Sequence, residues 1–257
     1  MRGRTASDFD WRDAAAYAPL LGADRSLFAW EWLRRDSRYG AAAVRALSRG
    51  YDDAHGDIGP GEFGLVAFEP PHLPVPRARP MWTAEKLPFV LQASAGGSKM
   101  DADVFPLDLL RGFITLACAP GIERLLLSDG FRSIRIDARG TSLLSRPVRL
   151  QYELTGIASA KPQLLTLRRF IALASNGEFS RSLHPPDPRA ERHILLLRTW
   201  DALLAGEDQR TIAAELLSDR AAATRWRVNS PSLRSQVQRL VRNARAMAAG
   251  GLWDMLL

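Results

Sequence analysis

The sequence predicts an α+β protein: a helical N-terminal module, a small mostly antiparallel sheet, and a helical C-terminal region bearing a helix-turn-helix-like unit. Three observations predict it. Both ends carry short segments with apolar residues at helical spacing behind Asp or Ser caps. Between them lie short alternating runs punctuated by Gly, Pro and Asp-Gly. A proline-rich stretch, EPPHLPVPRARP from Glu69 to Pro80, separates the first helical segment from the rest and can be neither helix nor central strand.

Residues 8–50 read as three helices. Asp8 or Asp10 caps the first, Asp24 the second through Phe28, Trp30, Trp32 and Leu33, and Asp36 or Ser37 a third ending at Gly50. Three of the seven tryptophans fall here (Trp11, Trp30, Trp32), which suits a small core that needs bulky side chains. Trp30 and Trp32 diverge by about 200° on a helix, so one of them is expected to be partly exposed and open to a partner.

Beyond the connector, Phe89 to Ala93 reads as a strand. Ile122 to Leu127 and Phe131 to Ile136 flank Asp129-Gly130, residues suited to a two-residue type I′ hairpin turn. Pro147 to Thr155 alternates, with Val148, Leu150, Tyr152 and Leu154 on one face. The single cysteine, Cys118, in the apolar stretch Phe113 to Ala119, excludes an intrachain disulfide and is expected to be a small buried hydrophobe.

After Gly156 the chain turns helical. Leu164 to Ala174 is apolar, SLHPPDPR from Ser182 to Arg189 is a second break, and Ile194 to Ala205 is a helix ended by Gly206. Gln209 to Leu217 places Ile212, Ala213, Leu216 and Leu217 on one face, as the first helix of a helix-turn-helix does. Ser230-Pro231 then opens a helix to about Ala248. Its inner face holds Leu233, Val237, Leu240, Val241, Ala244 and Met247, and its outer face Arg234, Gln238, Arg242 and Arg245. Twelve residues separate Leu217 from Ser230, so either the turn is an extended loop or Asp219 to Arg227 adds a helix and the turn is Val228 to Ser230.

Charge points to a partner. Arg220 to Trp253 contains seven arginines and no acidic residue, and Lys161 to Leu257 carries 15 basic against 9 acidic residues, leaving the rest of this +7 chain close to neutral. The 32 arginines against three lysines can follow from a GC-rich coding sequence, but that bias does not clear acids from one segment. One-signed charge on a helix suits a polyanion, and double-stranded DNA is the expected partner. The candidate DNA-binding residues are Arg225, Arg227, Ser232, Arg234, Ser235, Gln238, Arg239, Arg242 and Arg245.

Other function classes find little support. GPGEFG at Gly59 to Gly64 has the spacing of a dinucleotide-binding motif but carries Pro60 at its second position, with no strand before it and no helix after. The four histidines lie in or beside Gly/Pro-rich segments without a cysteine partner, and neither a Gly-x-Ser-x-Gly elbow nor a phosphate-binding loop is present. No catalysis, metal or cofactor is expected. No apolar run approaches a membrane span and no signal peptide is recognisable, so the expected compartment is the cytoplasm.

The stretch from LRTWDALLAGEDQRTIAAELL to GGLWDMLL, with PVRLQYELTGIASAKPQLLTLRRF before it, resembles a bacterial domain family found in regulators of integrative and conjugative elements. DWRDAAAYAPLLGADRSLFAWEWLRRDSRYG resembles the short transcriptional-regulator-like domain encoded next to it. The two joined resemble the frameshifted excision activator of such elements. That resemblance implies activation of excision or transfer genes and control by a smaller homologous anti-activator, while activation as such calls for a further surface that touches RNA polymerase. It gives no base contacts.

The sequence thus divides into a transcriptional-regulator-like module over 1–69, a connector over 70–80, and a C-terminal domain over 81–257, with its β part at 81–158 and its DNA-binding helical part at 159–257. The expected function is DNA-binding transcription activation. The alternative from another class is an interaction module that docks on another regulator without touching DNA.

Overall fold

The computed structural model describes residues 10–49, 58–97, 103–144, 147–217 and 231–257. In chain order its regular elements are a 3-10 helix Ala14–Gly22, α1 (Arg25–Leu33), α2 (Ser37–Arg49), β1 (Leu91–Gly97), α3 (Leu107–Leu110), β2 (Ile114–Ala119), β3 (Ile122–Ser128), β4 (Ser133–Gly140), β5 (Val148–Glu153), α4 (Ala160–Asn176), α5 (Ala190–Leu204), α6 (Gln209–Leu216), α7 (Pro231–Ala248) and a closing 3-10 turn Gly251–Met255. The α+β class is as expected.

These elements form two units. A helical unit takes residues from 1–45, 71–75 and 186–255, and a sheet unit takes residues from 46–70, 76–185 and 256–257. This differs from the expected division at 70–80, because the N-terminal and C-terminal helices share one core. Part of the connector, 71–75, belongs to the helical unit, and α4 belongs to the sheet unit.

The helical unit is held by a buried ionic network that explains this division. Arg35 donates to both oxygens of Asp201 on α5, Nε to Oδ1 at 2.7 Å and Nη2 to Oδ2 at 2.8 Å. Its Nη1 donates to Glu31 Oε2 at 2.6 Å, and Arg34 Nε donates to the same oxygen at 2.7 Å. Val75 N–H reaches the other Glu31 oxygen at 3.0 Å, and Tyr17 Oη donates to Asp201 at 2.6 Å. Burial opposes ionisation of Glu31, yet the Arg34 and Arg35 guanidiniums outweigh it and hold the carboxyl below its ordinary value. Burial, reinforced by the Asp201 carboxylate, pushes the Tyr17 phenol well above its usual value. Segments far apart in sequence are therefore tied by charge-assisted hydrogen bonds.

α1 sits inside this unit. Asp24 caps it by accepting from Leu27 N–H at 3.0 Å, and every residue from Leu27 to Leu33 is buried. Trp30 is 0% and Trp32 2% exposed, which corrects the expectation that one of them faces a partner. The 200° divergence holds, but a helix surrounded on all sides has no outer face. Trp30 instead donates Nε1 to Leu73 O at 3.0 Å and meets Tyr39 edge-on at 5.6 Å.

In the sheet unit five strands run in the order β2-β3-β4-β1-β5, antiparallel except for β1 beside β4. Leu91, Leu125, Ile134, Ile136, Val148 and Leu150 form one apolar face, covered by Phe105, Leu110, Phe170 and Leu173. The opposite face buries Arg135, which donates to Asp137 Oδ1 at 2.9 Å and Leu125 O at 2.7 Å. β5 alternates as expected, with Val148 and Leu150 buried and Arg149, Gln151 and Glu153 exposed. β1 begins two residues later than Phe89 and runs on to Gly97.

The β3–β4 connection differs from the expected turn. The strands stop pairing at Ser128 and Ser133, leaving a four-residue loop. Asp129 Oδ1 accepts from both Phe131 N–H and Arg132 N–H at 2.8 Å, and this side chain to main chain turn replaces the two-residue one. Cys118 is exposed rather than buried, because β2 is an edge strand.

Candidate nucleic-acid interface

The interface candidate is the outer face of α7, and its placement begins with the packing of its inner face. Val237 and Val241 join Ala202 of α5 and Ile212 and Ala213 of α6 in one buried cluster with Trp11, flanked by Leu216, Leu217 and Leu233. Leu240 and Ala244 are also buried. Gly206 ends α5 with a φ of 83°, and Asp208 caps α6 by accepting from Thr211 N–H at 2.7 Å. Two helices, α5 and α6, together with Trp11 thus fix the rotation of α7 about its own axis.

That rotation leaves Arg234, Ser235, Gln238, Arg239, Arg242 and Arg245 exposed. At about 100° per residue, Arg234, Arg245, Gln238 and Arg242 fall within an arc of about 80°, and Ser235 and Arg239 widen it to about 140°. From Arg234 to Arg245 the row is about 16 Å long. The structure therefore brings six of the nine sequence-predicted residues onto one face. Ser232 lies on the first turn of α7, but its side chain is outside the described residues, as are Arg225 and Arg227 and both readings of the segment 218–230.

The face is electrostatically one-sided. α7 contains no acidic residue, and among the described residues no carboxylate pairs with Arg234, Arg239, Arg242 or Arg245. Arg239 and Arg242, and Arg242 and Arg245, are like charges three residues apart, an arrangement that costs a helix a few tenths of a kcal/mol per pair, or about 0.2–0.5. Arg245 in the last turn is offset by the helix dipole, but the others are not. Planar guanidiniums on one face can take phosphate oxygens or the paired acceptors of guanine, and Gln238 can pair with adenine.

Sequence reasoning did not single out Gln209 and Arg210, which stand exposed in the first turn of α6. Their signal was position alone: two polar residues directly after the Asp208 cap.

Two family matches fall on the chain. Residues 155–256 match the RovC-type family described as "T6SS, Transcription factor, DNA binding domain". Residues 10–59 match the "Proteobacterial transcriptional regulator-like domain". The first match contains all of α7, and both support a DNA-binding transcriptional regulator. No curated protein matches the chain. Among the described residues, no helix is long and apolar enough to cross a membrane.

Proposed function

We propose that this chain is a non-enzymatic transcription activator whose α7 is the recognition helix of a helix-turn-helix-like unit, laid in the major groove of duplex DNA. The observation that carries the reading is the uncompensated guanidinium face of α7, held outward by a packed inner face on α5 and α6. Arg234, Gln238, Arg242 and Arg245 are assigned to base edges, and Ser232, Ser235 and Arg239, with Arg225 and Arg227, to phosphates. Gln209 and Arg210 of α6 join the phosphate contacts, as the first helix of such a unit crosses the backbone.

Activation in the cytoplasm, through RNA polymerase and under a smaller homologous anti-activator, is the finer part of the reading. The anti-activator and the excision or transfer targets rest on the resemblance to excision activators, and RNA polymerase on an activator's need for a second contact surface. The T6SS transcription-factor match offers secretion genes as the competing target class. Trp30 and Trp32 take no part, since both are core.

The test is a mobility shift of the full chain on DNA upstream of its own and neighbouring genes, at several salt concentrations. Specific retention with a steep loss of affinity as salt rises is expected, since each phosphate contact releases condensed counterions. Absence of any shift at low salt would remove the DNA reading and leave docking on another regulator.

A further inference from the structure

The outer edge of β5 is open, and the geometry shows which of its groups are unmet. Ala95 O accepts from Thr141 N–H at 2.9 Å on the β4 side of β1, so alternate residues Gln92, Ser94 and Gly96 turn their main-chain groups toward β5. Their partners Glu153, Gln151 and Arg149 point back, which leaves Val148, Leu150 and Tyr152 pointing outward. Phe105 N–H confirms the sense by reaching Val148 O at 2.7 Å from outside. Among the described residues, the outward N–H and C=O groups of Leu150 and Tyr152 have no main-chain partner. A groove runs along this edge, walled by Phe105 on one side and by Phe170 and Ile171 of α4 on another.

We propose that this edge is the dimerisation surface of the protein, with β5 of a second copy pairing antiparallel to it about a two-fold axis at Gln151. In that register Leu150 stands opposite Tyr152 of the second copy, and the two residues exchange both main-chain hydrogen bonds, twice over by symmetry. Val148 would stand opposite Leu154, but Phe105 already holds Val148 O, and β5 itself ends at Glu153. The free length of the edge therefore equals the length of strand available to fill it.

Charge selects a second copy over another peptide. Arg149 stands opposite Glu153 of the other copy, and Glu153 opposite its Arg149, so the exposed face of the joined strands carries two cross-strand ion pairs. The strand is its own electrostatic complement. On the covered face, Leu164 is 46% and Ile171 52% exposed. They sit seven residues apart, on the flank of α4 that borders the groove through Ile171. Joining the sheets brings these flanks of the two α4 helices together and covers both side chains.

A charge-swap series on the full chain tests this by analytical ultracentrifugation. The wild type is expected to sediment as a dimer of the 28.5 kDa chain. Arg149→Glu alone and Glu153→Arg alone each set like charges opposite each other twice, and each should weaken association by about tenfold or more. The double variant, with Arg149→Glu and Glu153→Arg together, re-forms both pairs and should return to within about threefold of wild type. A fold defect would not be repaired by the second change. Ile171→Glu should weaken association from the other face. A monomeric wild type, or association unaltered by both single changes, would overturn the proposal.

Discussion

Arg35 and Asp201 are joined by two hydrogen bonds of 2.7 and 2.8 Å across 166 positions of sequence, with both side chains out of water. The pair ties the turn just after α1 to the last turn of α5. Removing one partner leaves the other charge buried and unmet, so Arg35→Ala or Asp201→Ala should cost about 3–5 kcal/mol in urea unfolding. Replacing both by apolar residues of similar volume, Arg35→Met with Asp201→Leu, should cost less than either single change. Equal or greater loss in the double variant would show that the network acts through Glu31 and Tyr17 rather than through this pair.

Glu31 gives the same network a pH signature. Its folded carboxyl lies below the ordinary value of 4.5, so the folded state binds fewer protons than the unfolded chain in that region. The associated stability is complete above about pH 4.5 and is lost as pH falls through the lower folded value. Urea midpoints of the wild type should therefore fall from pH 5 to pH 3, and Glu31→Gln, weaker at neutral pH, should show a shallower fall. Parallel curves for the two proteins would assign acid sensitivity to other carboxylates.

How far the sequence revealed these features depends on what kind of signal each carries. α7 was legible from end to end because its inner stripe repeats at the helical period and Pro231 marks its start. The cap at Asp24 and the alternation of β5 were legible for the same reason: each is a local pattern with one physical reading. The Glu31, Arg34 and Arg35 cluster was not, since charges at three- and four-residue spacing ordinarily mark a solvated helix face. Only the surrounding aromatic run hinted that this face is buried. Asp129-Gly130 misled through the opposite fault, a strong local signal overridden by the carboxylate of Asp129 capping two further N–H groups. The partition into units was out of reach, because Asp201 lies far along the chain from its partner and no local pattern announces it.

Gly130 and Gly121 separate two costs of a side chain at positive φ. Both have φ in the left-handed half of the map, 102° and 75°. A Cβ at Gly130 would stand 2.3 Å from Pro76 O, whereas nothing lies within 4 Å of one at Gly121. Gly121→Ala should cost about 1 kcal/mol from backbone strain alone. Gly130→Ala should cost more, about 2–4 kcal/mol, because the β3–β4 loop must also move off the connector. Equal thermal shifts in the two variants would show that the loop gives way without cost.

The guanidinium face of α7 makes the prediction that bears most directly on function. Arg234, Arg242 and Arg245 are exposed and unpaired among the described residues, so alanine at any of them should leave unfolding within about 0.5 kcal/mol of wild type. Specific DNA binding should weaken by about 1–3 kcal/mol per arginine that reads a base, with relaxed preference at one operator position. Arg239→Ala should behave differently, weakening binding to all sequences alike and reducing the salt slope by about 1, as loss of a phosphate contact does. Relieving repulsion with its neighbour Arg242 should if anything raise the helix's stability by a few tenths of a kcal/mol, or about 0.2–0.5. Stability and affinity therefore move in opposite directions at Arg239, and by the same repulsion at Arg242 and Arg245. Unchanged affinity in a variant carrying both Arg234→Ala and Arg242→Ala, with the fold intact, would remove the groove model and make α7 a protein-docking helix.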